Sequence, residues 1–225
     1  FVRARSSSAA AAVVAVTRDT LAALAPADGR LLWRVPARLG DAYLASDASD
    51  ALLVVAARES SQHVRVSAYR TADGRLQWSV VRAVGAAAGA VRVAVLSGGA
   101  GTAPRVLLAT PTELVCLAAK TAKEAWALPV AALAPEGEGE DADADVRCEY
   151  DAARDRLVAV RASHAVVLDA AHGTVVRRED VALPECAAPA QHVALVLPAL
   201  EGAPLAAVCA PAPPAPLCAP LSSPH

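Results

Sequence analysis

Carboxylates are the residues of this chain that most invite a chemical reading. Glu136, Glu138, Glu140, Asp141, Asp143 and Asp145 crowd one segment. Such a group could hold calcium, but an EF-hand needs a Gly at its sharp turn and a closing bidentate Glu, and neither is in place. Residues 134–145 therefore read as an acidic, solvated insertion loop. Asp169 and His172 have the types of an acid–base pair. They flank a Gly-containing turn, so a turn role is the simpler reading. Ser97-Gly98-Gly99-Ala100-Gly101 has the glycines of a phosphate cradle but lacks a following Gly-Lys-Ser/Thr, and reads as a hairpin loop.

Sulfur and imidazole add little. The five cysteines are Cys116, Cys148, Cys186, Cys209 and Cys218. None forms a CxxC pair or a Cys/His set with zinc spacing. Cys186 and Cys209 could pair in an oxidising compartment; small buried or loop thiols are the plainer alternative. His63, His164, His172, His192 and His225 are scattered. No GxSxG elbow, P-loop or HExxH occurs. The sequence thus predicts no catalytic residue, no metal site and no cofactor.

Whatever these residues do, a β-rich framework must carry them. The net charge of −2 and pI near 6.2 provide no basic footprint for nucleic acid. Ile, Asn and Met are absent, and the only lysines are Lys120 and Lys123. Strong GC pressure on the gene explains that pattern, so the many alanines are poor helix signals. No apolar run of membrane-spanning length is free of charges and turn residues. Phe1 opens the chain, and the three-part layout of a signal peptide is missing; this reads as a fragment or processed chain.

One phrase recurs along the sequence. Leu24 to Trp33 contains Asp28-Gly29-Arg30-Leu31-Leu32-Trp33. Tyr69 to Trp78 contains Asp73-Gly74-Arg75-Leu76-Gln77-Trp78. Leu117 to Trp126 and Leu168 to Arg177 are looser copies, the last with Gly173 and with Arg177 where Trp should stand. The phase-equivalent residues Trp33, Trp78, Trp126 and Arg177 recur every 45 to 51 residues, the length of a four-stranded propeller blade. Before each turn runs a strand such as His63 to Tyr69. There Val64, Val66 and Ala68 alternate with Arg65 and Ser67, the pattern of a half-buried strand. Gly29 and Gly74 supply the positive φ of a tight hairpin. Trp33, Trp78 and Trp126 are expected to be largely buried at equivalent places, and Arg177 to reach solvent or a carboxylate.

The expected architecture is all-β: a partial propeller of PQQ-like repeats over 10–211, after an irregular start at 1–9. Its units are a partial blade at 10–36, blades at 40–83, 88–131 and 145–183, and a partial blade at 190–211. A Pro-rich tail occupies 212–225.

The phrases resemble the tryptophan-docking motif Ala-x-Asp-x-x-x-Gly-Lys-x-x-Trp of quinoprotein dehydrogenase propellers. Ala23, Gly29, Arg30 and Trp33 fit it with Ala25 in place of Asp. Ala68, Gly74, Arg75 and Trp78 fit it with Arg70 in place of Asp. Asp169 and Gly173 fit in the fourth unit, and Trp126 in the third, where Ala122 replaces the Gly. That resemblance implies a Trp wedged between blades. A quinoprotein enzyme would also need a calcium held by Glu, Asp and typically Asn, and Asn is missing from the chain.

Over roughly residues 12–200 the order of the phrases is similar to the amino-terminal luminal propeller of subunit 1 of the endoplasmic-reticulum membrane protein complex. The phrases concerned are Ala22-Ala23-Leu24 with Gly29 to Arg34, then Gly74 to Trp78, then Glu113 to Leu117 with Trp126, then Gly173 to Val176 without Trp. The resemblance implies a non-catalytic scaffold of an insertase for tail-anchored and multipass proteins. It implies a luminal location, other subunits of that complex as partners, and neither nucleic acid nor a membrane span within these residues. A binding propeller of another kind, such as a bacterial outer-membrane assembly lipoprotein or a sensor domain, is the alternative. A degenerate quinoprotein dehydrogenase comes after both.

About four and a half blades are legible, while closed propellers have 4–8. The sequence therefore predicts an open arc with strand edges that invite pairing. The 225-residue piece should aggregate or melt without a sharp transition, as size-exclusion chromatography with a chemical melt would show. A compact monomer with a two-state melt would mean that the ring closes within it.

Overall fold

The computed structural model describes residues 12–17, 19–39, 42–46, 51–84, 91–97, 102–134, 146–161, 164–180, 192–196 and 206–210. The acidic segment 135–145, Cys186, Cys218, the Pro-rich tail and the start of the chain lie outside them. Among the described residues no helix is long and apolar enough to cross a membrane.

The fold is all-β. A three-stranded antiparallel sheet comes first: β1 (Val13–Val16), β2 (Thr20–Leu24) and β3 (Leu31–Pro36). Three four-stranded sheets follow, each a meander of consecutive antiparallel strands. The second holds β4 (Ala42–Ser46), β5 (Leu52–Arg58), β6 (His63–Arg70) and β7 (Leu76–Ala83). The third holds β8 (Arg92–Leu96), β9 (Arg105–Ala109), β10 (Glu113–Ala118) and β11 (Glu124–Pro129). The fourth holds β12 (Val146–Asp151), β13 (Arg156–Arg161), β14 (His164–Asp169) and β15 (Val175–Asp180). The chain divides into two compact units, Phe1–Arg178 and Glu179–His225. The second unit contains the antiparallel hairpin of β16 (His192–Val196) and β17 (Ala206–Ala210). The glycine-rich stretch after β8 links it to its antiparallel neighbour β9.

The sheets are blades packed face against face. Leu53, Val55, Ala57 and Tyr69 of the second blade share a cluster with Val14, Leu21, Ala23 and Trp33 of the first. The opposite face of the second blade, with Val54, Val64, Val66 and Ala68, packs on Val106, Leu108, Val115 and Leu117 of the third. Leu107, Leu114, Cys116 and Trp126 of the third then meet Leu157, Ala159, Val166 and Leu168 of the fourth. Odd and even positions of one strand therefore serve two different seams, since successive side chains point to opposite faces.

This arrangement corrects one expectation. The alternation in β6 suggested a strand with one solvated face. Arg65 is exposed, but Ser67 is 6% exposed and Tyr69 7%. The neighbouring blade covers the second face as well. Ser67 survives there because its hydroxyl and that of Ser79 lie 2.9 Å apart and hydrogen-bond across the strands, so neither buried oxygen goes unpaired. The sequence reading also passed over the 3₁₀ turn Val130–Leu133, which buries Val130 and Leu133 after the third blade.

Leu108 is fully buried in the seam between the second and third blades. Leu108→Ala should destabilise the full-length protein by about 2–5 kcal/mol, the range for such truncations. Leu32 is exposed, and Leu32→Ala should change stability by less than about 0.5 kcal/mol. Chemical denaturation of both variants checks the assignment of seam and surface.

Candidate functional site

The repeated phrase builds the same turn four times. In the second blade Gly74 N donates to Arg70 O at 2.8 Å, and Arg70 N donates to Arg75 O at 2.9 Å. Gly29 with Ala25, Ala122 with Ala118 and Gly173 with Asp169 repeat the first bond at 2.8–2.9 Å. The fifth residue of each turn has positive φ: 70° at Gly29, 69° at Gly74, 56° at Ala122 and 70° at Gly173. A register shift beside the first three turns marks a β-bulge. The connection is thus longer than the two-residue hairpin that Asp-Gly suggests, because the αL residue closes a bulged loop. Asp28 and Asp73 sit one residue before their glycines. Each accepts the backbone N–H two residues on, at 3.0 and 3.1 Å.

These turns receive the tryptophans. Trp33 Nε1 donates to Thr71 O at 2.7 Å, Trp78 Nε1 to Ala119 O at 2.6 Å, and Trp126 Nε1 to Ala170 O at 3.0 Å. Every acceptor is the second residue of the next blade's turn. The indole ring lies over the αL position. A Cβ added to Gly74 would fall 2.6 Å from the Trp33 ring, and one added to Gly173 would fall 2.6 Å from that of Trp126. Glycine is therefore required at these two places by φ and by space together. The six residues of the repeat divide into donors, Trp33, Trp78 and Trp126, and receiving turns at Gly74 and Gly173, with Gly29 on the first blade.

Trp78 departs from the expectation of equal burial. Trp33 and Trp126 are each 8% exposed, whereas Trp78 is only half-buried. Its receiving turn carries Ala122, itself buried, in place of glycine, and we attribute the difference to the methyl that this residue adds at the αL position. Arg177 stands at the tryptophan phase of the fourth blade and is half-buried.

The ionisable side chains hold turns and seams. Asp169 accepts Ala171 N at 3.1 Å and His172 N at 3.0 Å, and its Oδ1 lies 2.9 Å from His172 Nδ1. Its other oxygen pairs with Arg156 at 2.5 Å. Burial pushes the Asp169 carboxyl up, but the His172 and Arg156 contacts outweigh it and leave it below the ordinary carboxylate range. This is the bonding of a turn cap. Asp155 pairs with Arg105 across the third seam and accepts Tyr150 Oη at 2.7 Å. Beside them, burial pushes the Cys116 thiol up to about 11; Arg105 opposes the shift and Asp155 adds to it. A thiol so held is a poor nucleophile at neutral pH. Cys116 and Cys148 form no disulfide; the Cys186–Cys209 pairing lies outside the described side chains. Among the described residues no three His, Cys, Asp or Glu side chains cluster to hold a metal.

Comparison with known proteins agrees with this geometry. A family model described as outer membrane protein assembly factor BamB matches residues 3–199. No curated protein matches the chain. Among solved structures, BamB from Moraxella catarrhalis superposes with a TM-score of 0.54 at 16% identity, covering 76% of this chain and 45% of that one. The propeller domain of Cps50 (Swd1) from Myceliophteria thermophila gives 0.56 at 14% identity, with 76% and 52% covered. The dihydro-heme d1 dehydrogenase NirN, in complex with DHE, gives 0.56 at 19% identity, with 88% and 40% covered. At these identities the likeness concerns the fold. The chain spans about half the length of these structures or less.

Ala122 provides a test of the dock geometry. Ala122→Gly relieves an αL alanine, worth about 1–2 kcal/mol, and opens the space over the turn. The variant should be more stable by about 1 kcal/mol or more, and Trp78 emission should shift to the blue. An unchanged spectrum with lower stability would refute the steric account.

Proposed function

We propose, from the premise that this chain belongs to the PQQ-like β-propeller family of the outer membrane protein assembly factor BamB, that it is a non-catalytic scaffold which docks other polypeptides during membrane-protein biogenesis. The observation that carries the reading is the use of the repeat. Its distinguishing residues, Trp33, Trp78, Trp126, Gly74 and Gly173, join blade to blade. The described carboxylates Asp73, Asp155 and Asp169 are engaged in turns or seams. Fold alone does not confer chemistry, and a binding surface is what such a framework offers.

Within that class the favoured reading is a luminal scaffold subunit of the endoplasmic-reticulum membrane protein complex, bound to the complex's other subunits. The loss of tryptophan at Arg177, after three tryptophan-bearing units, supports it. A bacterial outer-membrane assembly factor is the second reading, favoured by the family match over residues 3–199.

Affinity purification of the full-length protein from its own cells in mild detergent separates the two. Insertase subunits in the eluate support the first reading, and barrel-assembly proteins support the second. The scaffold reading further predicts no dye reduction above buffer after reconstitution with the quinone and calcium. Saturable turnover would overturn both readings.

A further inference from the structure

Among the described residues the outer strands β3, β7, β11 and β15 each pair on one side only, so each leaves a row of main-chain groups open. A bond just past three of these strands fixes which residues form that row. Ala37 N donates to Asp19 O at 3.0 Å, Val84 N to Gln62 O at 2.8 Å and Val130 N to Thr112 O at 2.8 Å. Bonded and unbonded positions alternate along an antiparallel pair. Pro36, Val81 and Pro129, opposite Thr20, Arg65 and Glu113, therefore take unbonded positions and turn their main chain away from the sheet. Each stands three residues after the tryptophan of its blade.

The four edges differ at this position. Proline closes it on β3 and β11, because it has no N–H to offer and blunts an edge. Asp180 holds the same phase on β15, and a charged side chain also guards an edge. On β7 the residue is Val81, β-branched and 44% exposed. That strand is eight residues long, against six for each of the others. Ser79, Val81 and Ala83 thus present donors and acceptors in one uninterrupted row.

We propose that β7 receives an extended segment of another protein as a fifth strand of the second blade, with an aliphatic side chain beside Val81 and an acidic one toward Arg75. The proposal rests on the scaffold reading above and names where and how it docks a polypeptide. Charge selects the occupant. Arg65, Arg75 and Arg82 border this edge against Glu59 and Glu124. Arg65 pairs with Glu59 and Arg82 with Glu124, each at 2.5 Å, while Arg70 and Asp73 satisfy each other. Arg75, exposed at the start of the strand, is the excess cation. A second copy would bring the same excess to the edge, whereas an acidic segment answers it. Three outward residues are also few beside the roughly 20–30 a side that join two folded domains. Strand addition instead draws affinity from main-chain bonds and selectivity from alternate side chains.

The test uses the full-length protein and a fluorescein-labelled peptide of alternating valine and threonine with glutamate at one end, followed by anisotropy. The wild type should bind it saturably. Val81→Pro gives β7 the residue that β3 and β11 carry at this position. It should leave the denaturation midpoint unchanged and weaken binding about tenfold or more. Val81→Asp, the choice of β15, should do the same and decides the matter if the proline variant folds poorly. Val81→Thr should keep binding. Peptides N-methylated at alternate residues should lose binding in one phase and keep it in the other, since only one row of their main chain faces β7. Equal binding by the wild type and the folded variants, or no saturable binding, would overturn the proposal. Partner proteins still recovered with Val81→Pro would then leave the scaffold reading standing without it. A wild-type dimer that Val81→Pro converts to a monomer would overturn it too, because the edge would belong to a second copy.

Discussion

The hydrogen bond from an indole to a main-chain carbonyl, made over a residue in the left-handed conformation, is the contact on which the packing of successive blades depends. A four-stranded sheet has two apolar faces and cannot bury either by itself. Hydrophobic burial draws blades together but is non-directional and leaves their relative sliding poorly fixed. The indole adds direction. Its N–H must find a partner once the ring is buried, and at Trp33, Trp78 and Trp126 that partner is one defined atom of the next blade. The positive φ at positions 74, 122 and 173 bends the turn so that this carbonyl faces the ring.

The carbonyl is itself held in place. Thr71, Ala119 and Ala170 each donate their N–H to the inner turn of their own sheet. The peptide that receives the indole is thereby anchored between two strands' ends. At the third seam the anchoring is reinforced from the other side. Arg105 of the third blade pairs with Asp155, Asp155 O accepts Ala170 N, and Ala170 O accepts the Trp126 indole of the third blade. The circuit starts and ends in one blade and grips a corner of the next. Arg105 is 8% exposed, so its charge is acceptable only while Asp155 is there to meet it.

Much of this was legible in the residues. Tryptophan at one phase and glycine four residues before it are rare residue types in a fixed relation, and packing noise does not produce that easily. The blade periods and the all-β class followed from them. Ser67 was misplaced for a physical reason: period-2 alternation reports side-chain polarity, and a serine that finds Ser79 can lie on a covered face. Ala122 in the glycine position set the third turn apart in the sequence, but how closely a ring approaches such a turn shows only in the folded chain, at Gly74 and Gly173. The Arg105–Asp155 pair was illegible, since 50 residues separate its members and neither lies in the repeated phrase. The 3₁₀ turn at Val130–Leu133 has no composition that sets it apart from a strand end.

The division of labour between repeated geometry and free surface bears on function. Trp33, Trp78 and Trp126, the turns that receive them and the apolar sheet faces hold neighbouring blades together, so those positions tolerate little change. The outer strands are released from that duty. Leu31 and Leu32 on β3, Leu76 and Val81 on β7, and Val175 and Val176 on β15 are exposed apolar residues at equivalent edges of three blades. An outer strand is also the edge of its sheet, with main-chain groups available for pairing. Edge and apolar side chain together suit recognition of extended polypeptide, in which main-chain hydrogen bonds give affinity and side chains give selectivity. A frame whose interior side chains are taken up by blade docking can vary these edges without loosening the seams.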